Sequence, residues 1–311
     1  MKNIKYQLIL LFINSSFLFA QNQIMNKVIT YDGLISEYPI KTSLSFKKDY
    51  IYGEYIYKKY PDRNPISLSS IQNKNNLIIE ETIYDTQKKK DIVTAFFTLN
   101  IFNNYKQLNG KWTNVSNKKI FDFTLNAIEQ NADNNYYYNV KLTPSTDKKI
   151  NEFYKVFNQI EIFDHNKKFI QTIDFPNSFS FNNSGIEIRL EDYNFDGYLD
   201  IIITHFAPFV AKNDHAEYYL IYNPSSKKFK YEEKYNTELA YIIKANHLKQ
   251  TLETYTADGN GNESNTSYIV KNNNFYKINY WKITEEGSSL EIKYKVINGK
   301  SVEINRKVSK K

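Results

Sequence analysis

The oxygen-bearing side chains between positions 192 and 200 recur at every second residue, in the stretch DYNFDGYLD. Calcium-binding loops use this spacing to point alternate side chains at one ion, which takes about six to eight oxygens. Gly197, at the sixth position, permits the sharp turn that wraps the chain around the ion. The predicted Ca²⁺ ligands are the side chains of Asp192, Asn194, Asp196 and Asp200. The backbone carbonyl of Tyr198 is the fifth predicted ligand.

This stretch departs from a helix–loop–helix EF-hand in its twelfth residue and in its flanks. The twelfth position is Ile203 rather than a bidentate glutamate. Residues 186–191 alternate apolar and polar, which indicates a strand with one wet face, and residues 201–203 are continuously apolar, which indicates a strand buried on both faces. The pattern predicts an EF-like loop between strands, in which Asp200 or a remote oxygen fills the vacant position. The alternative is an ordinary Asx-rich turn.

Other residues that could do chemistry form no recognised catalytic motif. A set of His205, His215 and Asp214 is conceivable, but its spacing matches no zinc motif. Glu80 and Glu81 could pair as in a glycosidase, yet adjacent residues of a strand point to opposite faces. We therefore predict no catalytic residues and a protein that is not an enzyme.

Two further features of the sequence, a second Asx-rich loop and the aromatic residues of the calcium loop, each have two interpretations. Asp258, Asn260 and Asn262 alternate in a Gly-rich loop and form a second, weaker candidate ion site beside the simpler interpretation of a hairpin loop. The aromatic residues of the calcium loop either form an exposed sticky rim or pack on neighbouring strands. They are Tyr193, Phe195 and Tyr198.

The composition indicates an exported, strand-rich chain. Its 311 residues are 41% hydrophobic, and the 27 tyrosines and 21 phenylalanines with only 9 glycines favour strands over helices. Cysteine is absent, which excludes disulfides and thiolate chemistry. Residues 1–20 have two early lysines, a short apolar segment and a final Ala20, and they predict a signal peptide cleaved before Gln21. We expect a periplasmic or secreted protein without a membrane span after cleavage.

The charge gives little support for nucleic-acid binding. The formal net charge is +7, and it falls to +5 without the two lysines of the signal peptide. The chain has three arginines, and its lysines are scattered along polar strand faces rather than clustered on one face.

The order of short strands predicts two β domains. Residues 21–130 read as an antiparallel meander that curls into a small barrel, and the polar segment 129–135 marks the boundary. Residues 131–311 read as serial hairpins, including the strong turn signal Asn298-Gly299, and predict a β-propeller-like domain that carries the calcium loop.

Three stretches of the second half carry a family resemblance: QIEIFD…FIQTIDF, RLEDYNFDGYLDIII and EYYLIYNPSSKKFKYEE. Over about residues 150–300 the chain resembles a family of exported β-propeller-like proteins with an EF-type calcium loop. That family includes an immunity protein that inhibits a lysozyme-like effector of type IV secretion. The resemblance implies the same five loop ligands, but no motif for the inhibitory contacts carries over.

The sequence thus predicts an exported, calcium-binding, non-enzymatic binding protein. Its partner would be an exported protein, such as a peptidoglycan hydrolase, or a glycan. The alternatives are a glycan-active hydrolase and a cell-surface adhesion module. The oligomeric state stays open.

Overall fold

A computed structural model describes residues 21–71, 77–100, 104–144, 154–182, 186–206, 215–239 and 243–310. The predicted signal peptide and Asp214 lie outside these ranges. The backbone of His205 and His215 is described, but their side chains are not. The regular structure of the described residues is strand apart from one short helix, which confirms the all-β prediction. The helix among them, α1 (Lys234–Glu238), has five residues, so nothing helical in these ranges could cross a bilayer.

The strands follow one another with short turns along most of the chain. The first nine are β1 (Asn22–Gln23), β2 (Asn26–Ile35), β3 (Tyr38–Phe46), β4 (Ile51–Tyr57), β5 (Ile66–Ile71), β6 (Ile78–Asp85), β7 (Lys90–Leu99), β8 (Gln107–Asn114) and β9 (Ile120–Ala127). The next seven are β10 (Tyr137–Pro144), β11 (Tyr154–Phe163), β12 (Phe169–Asn182), β13 (Glu187–Glu191), β14 (Asp200–Phe206), β15 (His215–Asn223) and β16 (Lys228–Tyr231). The last six are β17 (Ile243–Asn246), β18 (Thr251–Ala257), β19 (Glu263–Lys271), β20 (Asn274–Ile283), β21 (Ser289–Ile297) and β22 (Lys300–Ser309).

Strands β2 to β9 form a closed antiparallel barrel. Each strand pairs with the next along the chain, and β2 also pairs with β9, from Tyr31↔Ala127 to Ile35↔Phe123. Alternate residues of each strand point inward and fill the interior, which leaves about 10 Å³ beside Tyr55, Leu68 and Phe123. That volume is about one water molecule, so the barrel is a packed core rather than a ligand cavity. The predicted small N-terminal barrel is confirmed.

A buried carboxyl group organises one part of the barrel interior. Glu81 is 5% exposed, and its oxygens accept hydrogen bonds from the Tyr55 hydroxyl (2.7 Å), the Trp112 indole N–H (2.8 Å) and the Thr94 hydroxyl (2.5 Å). Its neighbour Glu80 has no part in this network and is more exposed. The two glutamates therefore do not form a catalytic pair, as the alternation of strand side chains predicts.

The second part of the molecule grows from one end of barrel strand β2. Strand β13 pairs with β2 in parallel at Arg189↔Asn26, and β14, β15 and β16 continue this sheet outward. A separate four-stranded sheet, in the order β1-β10-β11-β12, packs its apolar face on that extension through residues such as Ile160 and Ile201.

The C-terminal strands β17 to β22 form a six-stranded antiparallel meander, which packs against the opposite face of the extension. Ile202 of β14 and Leu252 of β18 lie in the core between them. Because Ile201 and Ile203 face one core and Ile202 the other, β14 is buried on both faces, as its continuous apolar run predicts.

The predicted serial hairpins are present, whereas a propeller is not shown. The Asn298-Gly299 turn joins β21 to β22 with φ of 48° and 70°, the pair of positive angles that such a two-residue turn requires. The strands are assembled into a four-stranded sheet, an extension of the barrel sheet and a six-stranded sheet. The predicted boundary between residues 130 and 131 stays a prediction.

The Glu81 network yields a stability test of the barrel. Glu81→Leu leaves the indole and hydroxyl donors without their acceptor, and each unsatisfied donor costs about 1–3 kcal/mol. We expect Glu81→Leu to lower the free energy of unfolding by at least that amount, measured by urea denaturation. Glu80→Leu is the matched control and should change it by less than about 0.5 kcal/mol. Equal effects of the two variants would contradict this role of Glu81.

Candidate functional site

The predicted calcium loop connects the end of β13 to the start of β14 and is built from turns closed by carboxylates. Asp192 accepts backbone hydrogen bonds from Asp196 (3.2 Å) and Gly197 (2.9 Å). Gly197 has φ of +84° and Phe195 has φ of +58°, so the chain twice adopts the left-handed conformation that brings these N–H groups round. The loop therefore wraps around the Asp192 carboxylate.

Asn194 and Asp196 continue the same pattern. The Asn194 side-chain oxygen accepts from the Asp196 N–H (3.1 Å), and Asp196 accepts from the Tyr198 N–H (3.0 Å). The Asn194 amide also donates to the second oxygen of Asp196 at 2.9 Å. Three of the predicted ligands, Asp192, Asn194 and Asp196, are thus gathered within one turn of chain.

Asp200 lies deeper than the other predicted ligands and has a bonding role of its own. It is fully buried, and its two oxygens accept from the backbone N–H of Tyr193 (2.9 Å) and of Tyr222 (2.8 Å). One carboxylate therefore joins the start of the loop to strand β15. This role does not require a metal ion.

A clamp from outside the loop, residues 129–131, holds its far end. The Asn131 side chain accepts from the Leu199 N–H (2.7 Å) and donates to the Leu199 carbonyl (3.3 Å). The Gln130 N–H donates to the Gly197 carbonyl at 2.8 Å, and the Tyr198 hydroxyl donates to the Gln130 side chain at 2.7 Å. Nothing in the polar, non-periodic segment around residue 131 indicates this contact, so sequence reasoning missed it.

The aromatic residues of the loop pack rather than form an exposed rim. Tyr193 is 1% exposed and lies 5.0 Å, centroid to centroid, from Tyr219. Phe195 meets the ring of His247 at 5.8 Å, and Tyr198 lies 5.6 Å from Tyr222. The packing alternative for these residues is therefore the one that the structure shows.

The carboxylates of the loop oppose one another's ionisation. Burial, with the charge of Glu129 next in importance, raises the pKa of Asp192 to about 7. Burial and the charge of Asp192 raise the pKa of Asp200 well above its usual range, and burial also raises the pKa of Asp196. A bound cation would reverse this effect, because an opposite charge nearby favours the ionised form.

The side chains of the loop have the oxygen ligands that a hard cation binds. Their arrangement in this structure is set by hydrogen bonds from backbone N–H groups. Among the described residues, no group of three or more His, Cys, Asp or Glu side chains is placed to hold a metal ion. The available donors are all oxygens, which is the ligand set that Ca²⁺ prefers. A further oxygen lies in this region: the Tyr235 hydroxyl is buried without a hydrogen-bond partner in the described chain. Its pKa is raised by burial and then by the charges of Asp200 and Asp192.

The sequence predicts that Glu187, Arg189 and Glu191 of β13 face solvent. In the structure an ion-pair network buries Glu191 and partly buries Arg189. Arg189 donates to Glu191 (2.7 Å) and to Glu217 (2.9 Å), and His247 lies 2.8 Å from Glu191. Glu191, Glu217 and His247 are each less than 9% exposed. The prediction was wrong for Glu191 because residues 243–247, from a distant part of the sequence, cover this face.

The contacts within the network shift the pKa values of Glu191 and His247. Burial would raise the pKa of Glu191, but the Arg189 charge and the His247 hydrogen bond outweigh it and lower that pKa to about 2. Burial disfavours the charged form of His247, but the hydrogen bond and charge of Glu191 outweigh it and raise the histidine pKa. Glu191 is therefore ionised at neutral pH and cannot donate a proton as a general acid.

The other sequence candidates do not join this site. Asp258 accepts hydrogen bonds from the backbone of Asn260 (2.7 Å) and Asn262 (3.3 Å), which is the geometry of an Asx-rich hairpin loop. His165 is exposed in the turn between β11 and β12.

Comparisons with known proteins leave the family unassigned. No family model matches the chain, and no curated protein matches it. A solved structure of a Xanthomonas type IV secretion system related protein aligns with a TM-score of 0.42 at 12% identity, over 55% of this chain and 89% of that chain. A candidate 6-phosphogluconolactonase from Bacteroides fragilis aligns with a TM-score of 0.24 at 12% identity, over 90% of this chain and 95% of that one. These scores are too low to assign a fold or a function, and the family resemblance stays a prediction.

The network around Arg189 predicts that replacing this buried arginine lowers the free energy of unfolding far more than replacing an exposed, ion-paired arginine. Arg189→Leu removes the cation that pairs with buried Glu217 and leaves buried Glu191 with His247 alone. Breaking a buried pair in this way costs about 3–5 kcal/mol. We expect a loss of this size in the free energy of unfolding, measured by urea denaturation. Arg306, which pairs with Glu303 at 2.8 Å on the exposed strand β22, is the control. Arg306→Leu should leave the unfolding midpoint unchanged, and a similar loss in both variants would contradict the assignment.

Proposed function

We propose that this protein is an exported, calcium-stabilised binding protein without enzymatic activity, whose partner is an exported protein such as a peptidoglycan-cleaving enzyme. The observation that carries the proposal is the loop of residues 192–200, which gathers buried carboxylates between two core strands. Calcium in such a loop acts as a structural element, because the loop is built into a sheet and has no helix pair to open.

The electrostatics of the loop support calcium binding. Burial raises the pKa of Asp192, Asp196 and Asp200, and the charge of Asp196 adds to this effect at Asp192 and that of Asp192 at Asp200. A divalent cation would relieve this repulsion. The Asp192 and Asp196 oxygens that accept one N–H still have a second lone pair for a metal ion. An exported protein meets abundant calcium, so a weak site suffices, with a dissociation constant of about 10⁻⁴–10⁻³ M.

The carboxylates that are paired with Arg189 or enclosed in the barrel give no support for a hydrolase. Glu191 and Glu217 are both neutralised by Arg189, and the barrel carboxyl group of Glu81 is enclosed by its hydrogen-bond donors. A glycosidase needs a carboxylate pair about 5–10 Å apart, one of them able to donate a proton. The low pKa of Glu191 does not meet this need.

The identity of the partner rests on the sequence resemblance around DYNFDGYLD. The family that this stretch resembles includes an inhibitor of a lysozyme-like effector. The +5 charge of the mature chain weighs mildly against this partner, since many peptidoglycan-cleaving enzymes are basic and like charges slow encounter.

Calcium should raise the thermal stability of the protein. At about 100 times the dissociation constant, mass action adds about 2.7 kcal/mol to the free energy of unfolding. We expect a higher melting temperature with calcium than with chelator, and binding heat in calorimetry. Asp196→Ala should abolish both, because it removes a central ligand, whereas Asp258→Ala, in the other Asx-rich loop, should change neither. Equal melting temperatures with calcium and chelator, without binding heat, would return the loop to the class of ordinary turns.

A capture experiment tests the binding role. The mature protein, beginning at Gln21, is used as bait in periplasmic extract with and without calcium, and the captured proteins are identified by mass spectrometry. We expect a peptidoglycan hydrolase whose activity falls when the purified protein is added. Clearing of peptidoglycan by the protein alone, abolished by one carboxylate substitution, would instead establish the hydrolase alternative.

A further inference from the structure

A cleft of about 620 Å³ lies between the outer wall of the barrel and the sheet that extends from it. Strands β2, β3 and β4 supply one side, and β13, β15 and the segment around β17 supply the other. The volume is within the range of about 300–1,000 Å³ that holds small ligands in proteins. The cleft adjoins the calcium loop at one point, because Tyr193 of that loop lines it.

The barrel wall of this cleft carries polar side chains that form no hydrogen bond with other described residues. Ser43 and Ser45 alternate on β3, and they lie opposite Glu54 and Tyr52 of β4 in the strand register. Within the described chain, the two serine hydroxyls and the Glu54 carboxylate form no hydrogen bond. Ser43 and Glu54 are partly exposed, and Ser45 lies deeper at 8% exposed. Alternation along each strand points the three side chains into the same space.

An exposed aromatic ring stands at the same wall. Tyr52 is 40% exposed, and it stacks on Tyr50 with a centroid distance of 5.4 Å and an interplanar angle of 27°. Lys47 lies 5.6 Å from the Tyr52 ring, and its ammonium group is 3.9 Å from Glu187 across the cleft. The stacking fixes the plane of Tyr52, so the ring is a ready platform for a ligand with a flat apolar face.

The opposite wall is rigid because its charges are already paired. Arg189 donates hydrogen bonds to Glu191, Glu217 and the Thr204 hydroxyl. It also donates to the buried Tyr193 hydroxyl at 3.3 Å. Glu187 is held by the Asn26 amide at 2.9 Å. A pre-organised wall of this kind lowers the entropy lost on binding.

The balance of charge selects the class of ligand. Lys27 also lines the cleft, but its ammonium group is buried and donates to the Ala132 and Asn134 carbonyls. Apart from it and His247, the charged lining residues are three basic and four acidic, and most of them are paired with one another: Lys47, Arg189 and Lys244, and Glu54, Glu187, Glu191 and Glu217. Its aliphatic lining is limited to Val28, Ile243 and Ala245. An anion would require a net positive site and a lipid-like molecule an apolar one. A neutral ligand with many hydroxyl groups and one apolar face matches the lining.

We infer that this cleft binds a neutral oligosaccharide of about two to three pyranose rings, a size that its volume can hold. One ring stacks its C–H face on Tyr52, and its hydroxyls reach the Ser43, Ser45 and Glu54 side chains. The binding is non-covalent, and it adds a ligand site to the calcium-stabilised binding protein proposed above without depending on the calcium.

Isothermal titration calorimetry of the full mature chain tests this inference with three probes of different linkage and substitution: maltotriose, cellotriose and tri-N-acetylchitotriose. We expect at least one to bind with a dissociation constant in the millimolar range or below. Tyr52→Ala should weaken that binding about tenfold, because it removes the stacking platform. Glu54→Gln should weaken it as well, and Tyr84→Ala, which alters an exposed barrel tyrosine outside the cleft, should not.

Each result decides the matter. Failure of all three sugars to bind at millimolar concentrations would overturn the inference, and so would equal affinity in the wild type and Tyr52→Ala. Melting curves of each variant show whether a loss of binding reflects unfolding. Calcium-dependent melting that persists while no sugar binds would overturn this inference alone, since Tyr52 and Glu54 lie outside the loop.

Discussion

The hydrogen bonds of the Asp200 carboxylate are the constraint on which the central part of this molecule depends. A carboxylate that is fully buried must have its lone pairs satisfied, and Asp200 achieves this with the N–H groups of Tyr193 and Tyr222. These two bonds fix where β13 ends, where β14 begins and how β15 lies beside it. The strand that starts at Asp200 then separates two cores, so an error in its position would disturb both.

Around this point the structure alternates apolar packing with isolated polar networks. The barrel holds Glu81 with three donors, and the extension holds Arg189 with two carboxylates. Each network is satisfied from several strands at once, so it specifies how those strands pair as well as how stable they are. The cleft lies where the barrel and the extension diverge, since neighbouring strands that leave a common sheet cannot fill the space between them.

Sequence patterns predicted those features that depend on neighbouring residues. The serial short strands of residues 21–130 indicated a barrel, the run Ile201–Ile203 indicated burial on both faces, and Asn298-Gly299 indicated its turn. The features that escaped prediction depend on distant residues. The coverage of Glu191 by His247 and the clamp of Asn131 on Leu199 join positions 56 and 68 residues apart. No local period records such contacts, and serial hairpins could be assembled equally into blades or into the sheets observed here.

The parallel pairing of β13 with β2 has a consequence for the order of folding. All pairings within the barrel meander join successive strands except its closure by β9, whereas the β2–β13 pairing, at Arg189↔Asn26, joins residues more than 160 positions apart. Local pairings close short loops and form early, and distant ones wait for the intervening chain. A barrel that closes first displays the start of β2 as an open strand edge, which is a template for pairing with other chains. Strand β13 covers this edge once it pairs with β2, so the last step of assembly also removes the exposed edge of the barrel.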